Sequence, residues 1–184
     1  VTDMTTPCER TFTVNGRAMT ARCWHDSNKQ PLLALHGWLD NAATFDLLAP
    51  LLSDFYIVAL DFAGHGWSEH RAAGTRYHIL DHVDDVLSIV NQLGWQRFTL
   101  MGHSMGAGVA SLLSSALPER VEKLVMIEGL GPYTGKPEDA AKHLRTALLE
   151  WQEFSDKPRV IATMEIAIQA RMNGLLPVSE HAAR

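Results

Sequence analysis

Long apolar runs are missing from this 184-residue sequence, and nothing in it approaches the roughly 20 consecutive apolar residues that a membrane-spanning helix needs. The first residues, Val1 to Arg10, have neither the basic nor the apolar stretch of a secretory signal. Neither membrane insertion nor secretion is expected. Cysteine is scarce: Cys8 and Cys23 lie outside any C-x-x-C pair and could form at most one bridge, so a disulfide framework is excluded and a reducing, cytoplasmic setting is expected. Positive charge is also in deficit. Sixteen Lys and Arg against twenty-one Asp and Glu give a net charge of −5 with no basic cluster, which removes the electrostatic basis for binding a phosphate backbone. Nucleic acid is therefore not an expected partner. With 46% hydrophobic and 20% charged residues the composition is neither collagen-like nor disordered, and it suits a water-soluble chain with a real core.

Short apolar runs alternate with longer segments of helical period, the pattern of an α/β protein whose mostly parallel sheet is flanked by helices. Residues 11–14 and 17–24 read as strands around Asn15-Gly16, a dipeptide that tolerates the positive φ of a tight hairpin turn. Leu32–Leu35, Tyr56–Leu60, Phe98–Met101 and Leu124–Ile127 are apolar at consecutive positions, as strands buried on both faces must be, and are expected to form the sheet centre. Ile79, Leu80, Val83, Val86, Leu87, Val90 and Leu93 recur at helical spacing up to Gly94. A shorter helix is expected over 41–52, and a buried one over 105–117, stopped by Pro118. Beyond residue 136 the strands cease. Leu144, Ala147, Leu148, Trp151 and Phe154 mark one helix, and Ile161, Met164, Ile168 and Met172 another, closed by Gly174 and Pro177. Two regions are expected: 1–135, the core, and 136–184, a helical segment.

Gly102-His103-Ser104-Met105-Gly106 falls between a buried strand and a buried helix, where a G-x-S-x-G nucleophile elbow belongs. A strand that turns directly into a helix holds the serine in a strained conformation, and glycines on either side let neighbouring backbones pass. The helix N-terminus would turn free N–H groups and a positive dipole end to the same spot, which suits a developing oxyanion. Two loops accompany it: His36-Gly37-Trp38 after the strand at 32–35, and the glycine-rich Asp61-Phe62-Ala63-Gly64-His65-Gly66-Trp67-Ser68 after the next strand.

In order and separation these three segments resemble the α/β-hydrolase superfamily over about residues 10–135, and Leu35–Ala42 looks like its serine hydrolase-like branch. The resemblance implies Ser104 as nucleophile and the backbone N–H groups of Trp38 and Met105 as the oxyanion hole. His36 and His103 become supporting residues, and Asp61 and Ser68 hold their loop by side-chain-to-backbone hydrogen bonds. The family presents its catalytic groups in the order serine, acid, histidine. Glu128, at the end of the strand after the nucleophile, is a candidate acid by resemblance to some haloalkane dehalogenases, or else a hydrogen-bonded carboxylate steadying Gly129–Pro132. Only His143 and His181 follow Ser104, both in the helical segment, so the catalytic histidine is expected outside these residues. The chain reads as the N-terminal portion of a larger hydrolase, incomplete at its C-terminus, with 136–184 the start of a helical lid.

Other motifs fail on spacing. His65, Glu69 and His70 give H-x-x-x-E-H where a zinc site needs H-x-x-E-H, and Gly131–Gly135 has three residues between glycines where a P-loop has four. No metal and no cofactor are expected. His78, Asp81, His82, Asp84 and Asp85 fall mostly opposite an apolar stripe and read as a solvated face. Trp151, Met164 and Met172 read as packing or, in a lid, as the lining of a substrate pocket, and not as a cofactor site.

Two functions stand. One is a serine-dependent hydrolase of an ester or similar small acyl substrate, working through an acyl-enzyme. The other is a non-catalytic hydrolase-like binding or interaction module. In either, the strand at 124–127 becomes an apolar edge, with self-association or pairing to the missing C-terminal portion as the expected outcome.

Overall fold

The computed structural model describes residues 6–132, 134–153, 163–174 and 177–183. They divide into two compact units, 1–135 and 136–184. The first unit is built on a six-stranded sheet. Its strands are β1 (Cys8–Val14), β2 (Arg17–Trp24), β3 (Gln30–Leu35), β4 (Phe55–Leu60), β5 (Phe98–His103) and β6 (Val121–Ile127), in the spatial order β1-β2-β4-β3-β5-β6. β1 and β2 pair antiparallel, β2 runs antiparallel to β4, and β4, β3, β5 and β6 run parallel. Asn15 and Gly16 turn the hairpin with φ of 50° and 77°, the left-handed pair that a two-residue loop requires.

Consecutive strand residues alternate between two cores. Leu33, Leu35, Val58, Leu60 and Leu100 point to one side, where Val86, Ile89 and Val90 of α1 (Ile79–Gln92) and Val109, Ala110 and Leu113 of α2 (Met105–Ala116) close over them. Leu32, Ala34, Ile57, Ala59 and Met101 point to the other, against Ala42, Phe45 and Ala49. This explains the unbroken apolar runs: a strand covered on both faces has no position to spare for a polar side chain.

The structure departs from the sequence pattern at three places. Residues 41–52 form two short 3-10 turns, Ala42–Phe45 and Ala49–Leu51, in place of a helix. Successive N–H groups reach back three residues, as Asp46 does to Ala43 and Leu52 to Ala49. Pro50 has no N–H to give and its ring crowds the carbonyl four residues back, which keeps an α-helix from continuing through it. Second, β6 is an edge strand, which agrees with the edge expected at 124–127 and not with a place in the sheet centre. It pairs only with β5 among the described residues, and Val125 and Ile127 are exposed. In the second unit, α3 (Ala140–Glu153) and α4 (Met164–Met172) follow the sequence pattern, and a single turn, α5 (Glu180–Ala183), comes after them. Phe154 and Ile161, assigned to these helices from the sequence, lie outside the described residues. No helix of the described residues is long and apolar enough to cross a membrane.

The polar face assigned to α1 is also not wholly solvated, since His82 and Asp85 are buried. Asp85 accepts from Arg17 at 2.9 Å and from Arg71 at 2.5 Å. Burial pushes its carboxyl above the ordinary carboxylate value, and the two guanidiniums oppose that. His82 packs on Phe62, with ring centroids 4.8 Å apart, and its Nδ1 has no partner. Burial, then the nearby Arg71 and His65, push it down to about 4.

A histidine held near 4 when folded and near 6.5 when unfolded takes up its proton first in the unfolded chain. Its contribution to stability is present above about pH 6.5 and is lost as pH falls toward 4. Replacing His82 with Leu removes that dependence. The expected outcome is a plot of unfolding free energy against pH that is shallower between pH 6.5 and 4 by up to about 1.4 kcal/mol per pH unit. Urea unfolding across that range measures it, and unchanged slopes would show that His82 does not carry the effect.

Candidate active site

The last residue of β5 is His103 and the first of α2 is Met105, so Ser104 alone makes the turn from strand to helix. Its φ of 50° and ψ of −112° put a non-glycine residue in the left-handed half of backbone space, a strained position. The glycines explain why the turn is so tight. A Cβ on Gly102 would collide with the Gly106 carbonyl and the Ala107 nitrogen, and one on Gly106 with the carbonyls of Leu35 and His36. The start of α2 is thus pressed onto the end of β3. Ser104 N–H donates to the Ile127 carbonyl at 2.9 Å, which fixes the elbow to β6 as well.

The loop after β3 runs beside this elbow. A Cβ on Gly37 would stand 3.4 Å from Ser104 Cβ and 3.0 Å from His103 Nδ1. Trp38 follows in the chain with its side chain half exposed. Met105 opens α2, so its N–H has no partner within the helix and lies at the positive end of the helix dipole.

His36 and Asp61 hold these loops from beneath. His36 is fully buried: its Nδ1–H donates to the Gly37 carbonyl at 2.6 Å, and its Nε2 accepts from Phe62 N–H at 3.0 Å. Both nitrogens are engaged by backbone. This arrangement requires the neutral ring, and burial pushes His36 down to about 4. Asp61 accepts from Ala42 N–H at 2.7 Å and from Trp67 N–H at 2.9 Å. Burial raises its carboxyl while the two N–H groups oppose the rise. Ser68 donates to the Asp61 carbonyl at 2.7 Å and accepts from Thr20 N–H at 2.9 Å, which ties the loop to β2.

Glu128 follows β6 in the left-handed conformation, φ 53°. Its carboxylate, largely exposed, accepts from His103 Nε2–H at 3.2 Å. This partnership links the residue before Ser104 to the end of the neighbouring strand, two positions that the linear sequence keeps 25 residues apart. The available signal was register: the parallel ladder sets His103 beside Ile127, one residue from Glu128. A cavity of about 460 Å³ lies against the elbow, lined by Ser104, Met105, Glu128, Ile79 and Pro132 among others. Gly108 forms part of its wall, where a Cβ would stand 3.1 Å from the Ile79 methyl and 3.4 Å from Pro132 Cα. Among the described residues, no group of three or more His, Cys, Asp or Glu side chains is placed to hold a metal ion.

The arrangement can therefore present one hydroxyl on a strained turn, beside a helix N-terminus, at the edge of an apolar cavity that also carries one carboxylate. Comparison with known proteins agrees with this architecture. The model of the alpha/beta hydrolase fold family matches residues 30–175. A serine hydrolase-like protein of Dictyostelium discoideum is 39% identical over 136 residues, 72% of this chain and 38% of that protein. A human serine hydrolase-like protein is 43% identical over 111 residues, 60% of this chain and 55% of its own length. The crystal structure of a hypothetical protein from Pseudomonas aeruginosa superposes with a TM-score of 0.88 at 47% identity, covering 95% of this chain and 62% of that one. The chain thus spans about 40 to 60% of the length of these proteins, and it belongs to the α/β-hydrolase family, in the serine hydrolase-like branch.

Proposed function

We propose that the protein is a serine-dependent hydrolase of an ester or similar acyl compound, with Ser104 as the nucleophile. The observation that supports it most is the strained turn at Ser104 between Gly102 and Gly106, a costly conformation that sets a half-buried serine on the wall of the cavity. In this reading Ser104 Oγ attacks the substrate carbonyl and loses its proton to a general base. The oxyanion is held by the N–H groups of Met105 and Trp38, and the acyl-enzyme is then released by water. The cavity lined by Ile79, Met105 and Pro132 receives apolar substrate atoms.

The base belongs, in this proposal, to a part of the protein beyond these residues. His36 cannot serve, because backbone occupies both its nitrogens. The pairing of Glu128 with His103 favours a steadying role for that carboxylate over the role of triad acid. These same engaged histidines favour a second reading for the 184 residues taken alone, a hydrolase-like binding module without turnover. Lack of a positioned base typically costs on the order of 10²–10⁴-fold in rate.

A fluorophosphonate probe applied to the full-length protein is expected to label Ser104, and Ser104→Ala to abolish both labelling and the hydrolysis of p-nitrophenyl esters. The isolated 184-residue chain is expected to hydrolyse them slower by about the factor above. Labelling elsewhere, or full hydrolysis by the Ala variant, would reject Ser104.

For Glu128→Gln the expected kcat of the full-length protein stays within a few fold of wild type. A fall of about 10³-fold or more would instead make Glu128 the acid that orients the base.

The exposed edge of β6 is proposed to pair with a strand from a second copy or from the remainder of the protein. Light scattering of the isolated chain is expected to show dimers or larger species, and a lasting monomer would oppose the proposal.

A further inference from the structure

The two cysteines, separated by fourteen intervening positions, stand directly opposite each other in the β1–β2 ladder. Side chains of opposed residues in an antiparallel pair share one face of the sheet, and their Cα atoms lie about 4.5 to 5.5 Å apart. A disulfide needs 4.4 to 6.8 Å, so the ladder already holds both residues at a bonding separation. Both are free thiols in the structure, and they differ in access: Cys8 is exposed at the start of the edge strand, while Cys23 is buried. The face they share also carries Arg10 on β1 and Tyr56 on β4. Cys8 and Arg10 are near enough to act electrostatically on the Cys23 sulfur.

We propose that Cys8 and Cys23 form an oxidation site in which the exposed cysteine captures a low-molecular-weight disulfide and the buried one resolves it to an intramolecular cross-strand bond. In the first step the Cys8 thiolate attacks one sulfur of a compound such as oxidised glutathione. A bond forms between Cys8 Sγ and that sulfur, and one glutathione leaves as thiolate. In the second step Cys23 gives up its proton and attacks Cys8 Sγ, and the second glutathione leaves. Two protein thiols are oxidised to one disulfide, and one glutathione disulfide is reduced to two thiols. Burial, opposed by Tyr56 and Arg10 and reinforced by Cys8, pushes the Cys23 thiol up to about 11, which suits a thiol that stays inert until its partner is modified. The product ties the outermost strand covalently to its neighbour, at the edge of the sheet remote in sequence from Ser104. This inference does not depend on the proposed hydrolase activity.

The test is incubation of the reduced protein with oxidised glutathione, followed by intact mass and non-reducing tryptic mapping. Trypsin cuts after Arg10, Arg22 and Lys29, so the two cysteines fall on different peptides. Wild-type protein is expected to lose both thiols with the intact mass of a single chain and those peptides linked. Cys23→Ala is expected to stop at a single glutathione adduct on Cys8, and Cys8→Ser to stay unmodified. The proposal is overturned if wild type stops at the adduct, if the link joins two chains, or if Cys8→Ser is modified at Cys23 as fast as wild type. Should the Cys23 variant fail to fold, wild type and Cys8→Ser alone decide the matter, because the exposed position tolerates serine.

Discussion

The first turn of α2 lies so close to the end of β3 that no side chain fits between them. Gly106 sits against the carbonyls of Leu35 and His36, and Gly102 against the carbonyl of Gly106 itself. With glycine two residues away on either side, the chain has one residue in which to change from strand to helix. Ser104 therefore takes a left-handed φ that costs on the order of 1–3 kcal/mol. The surrounding core of Leu33, Leu35, Leu100, Val109 and Ala110 supplies the burial that offsets it. Proximity does a second thing. It sets Gly37 against the elbow, so the loop after β3 and the N-terminus of α2 face one small volume from two sides.

Hydrogen bonds, more than apolar packing, shape the loops around that volume. His36 joins the loop after β3 to the one after β4, and Asp61 joins the latter to Ala42. These are buried polar groups, which are stabilising only while every partner is in place. A protonated His36 could no longer accept from Phe62, so the loops need the neutral ring that burial enforces. Gly66 completes the frame, since a Cβ there would enter the Asp61 carboxylate.

The parts legible in the sequence were those with a local cause. Asn15-Gly16, the runs at 32–35 and 56–60, the stripe from Ile79 to Leu93 and the Gly102–Gly106 motif each state their structure within a few residues. What escaped depended on partners distant in the chain. Asp85 and His82 looked solvated because α1 was read alone, whereas Arg17 lies 68 positions away and Arg71 14. His103 and Glu128 were read separately because only the parallel pairing of β5 with β6 joins them. Apolarity at 124–127 was legible but its burial was not, since burial depends on what covers a strand. Segment 41–52 was misread for a local reason, the effect of Pro50 on a short helix.

The Arg17–Asp85–Arg71 cluster joins three pieces of chain that share no ladder: the hairpin, the segment after β4 and α1. Separating the hairpin would strip one of two guanidiniums from the buried Asp85 carboxylate, and separating α1 would leave Arg17 and Arg71 facing each other without their counter-charge. Such a node makes partial opening unfavourable. The hairpin, although it lies at the edge of the sheet where fraying usually begins, should then exchange its amide hydrogens together with α1 in one cooperative unit, and not as an independent flap.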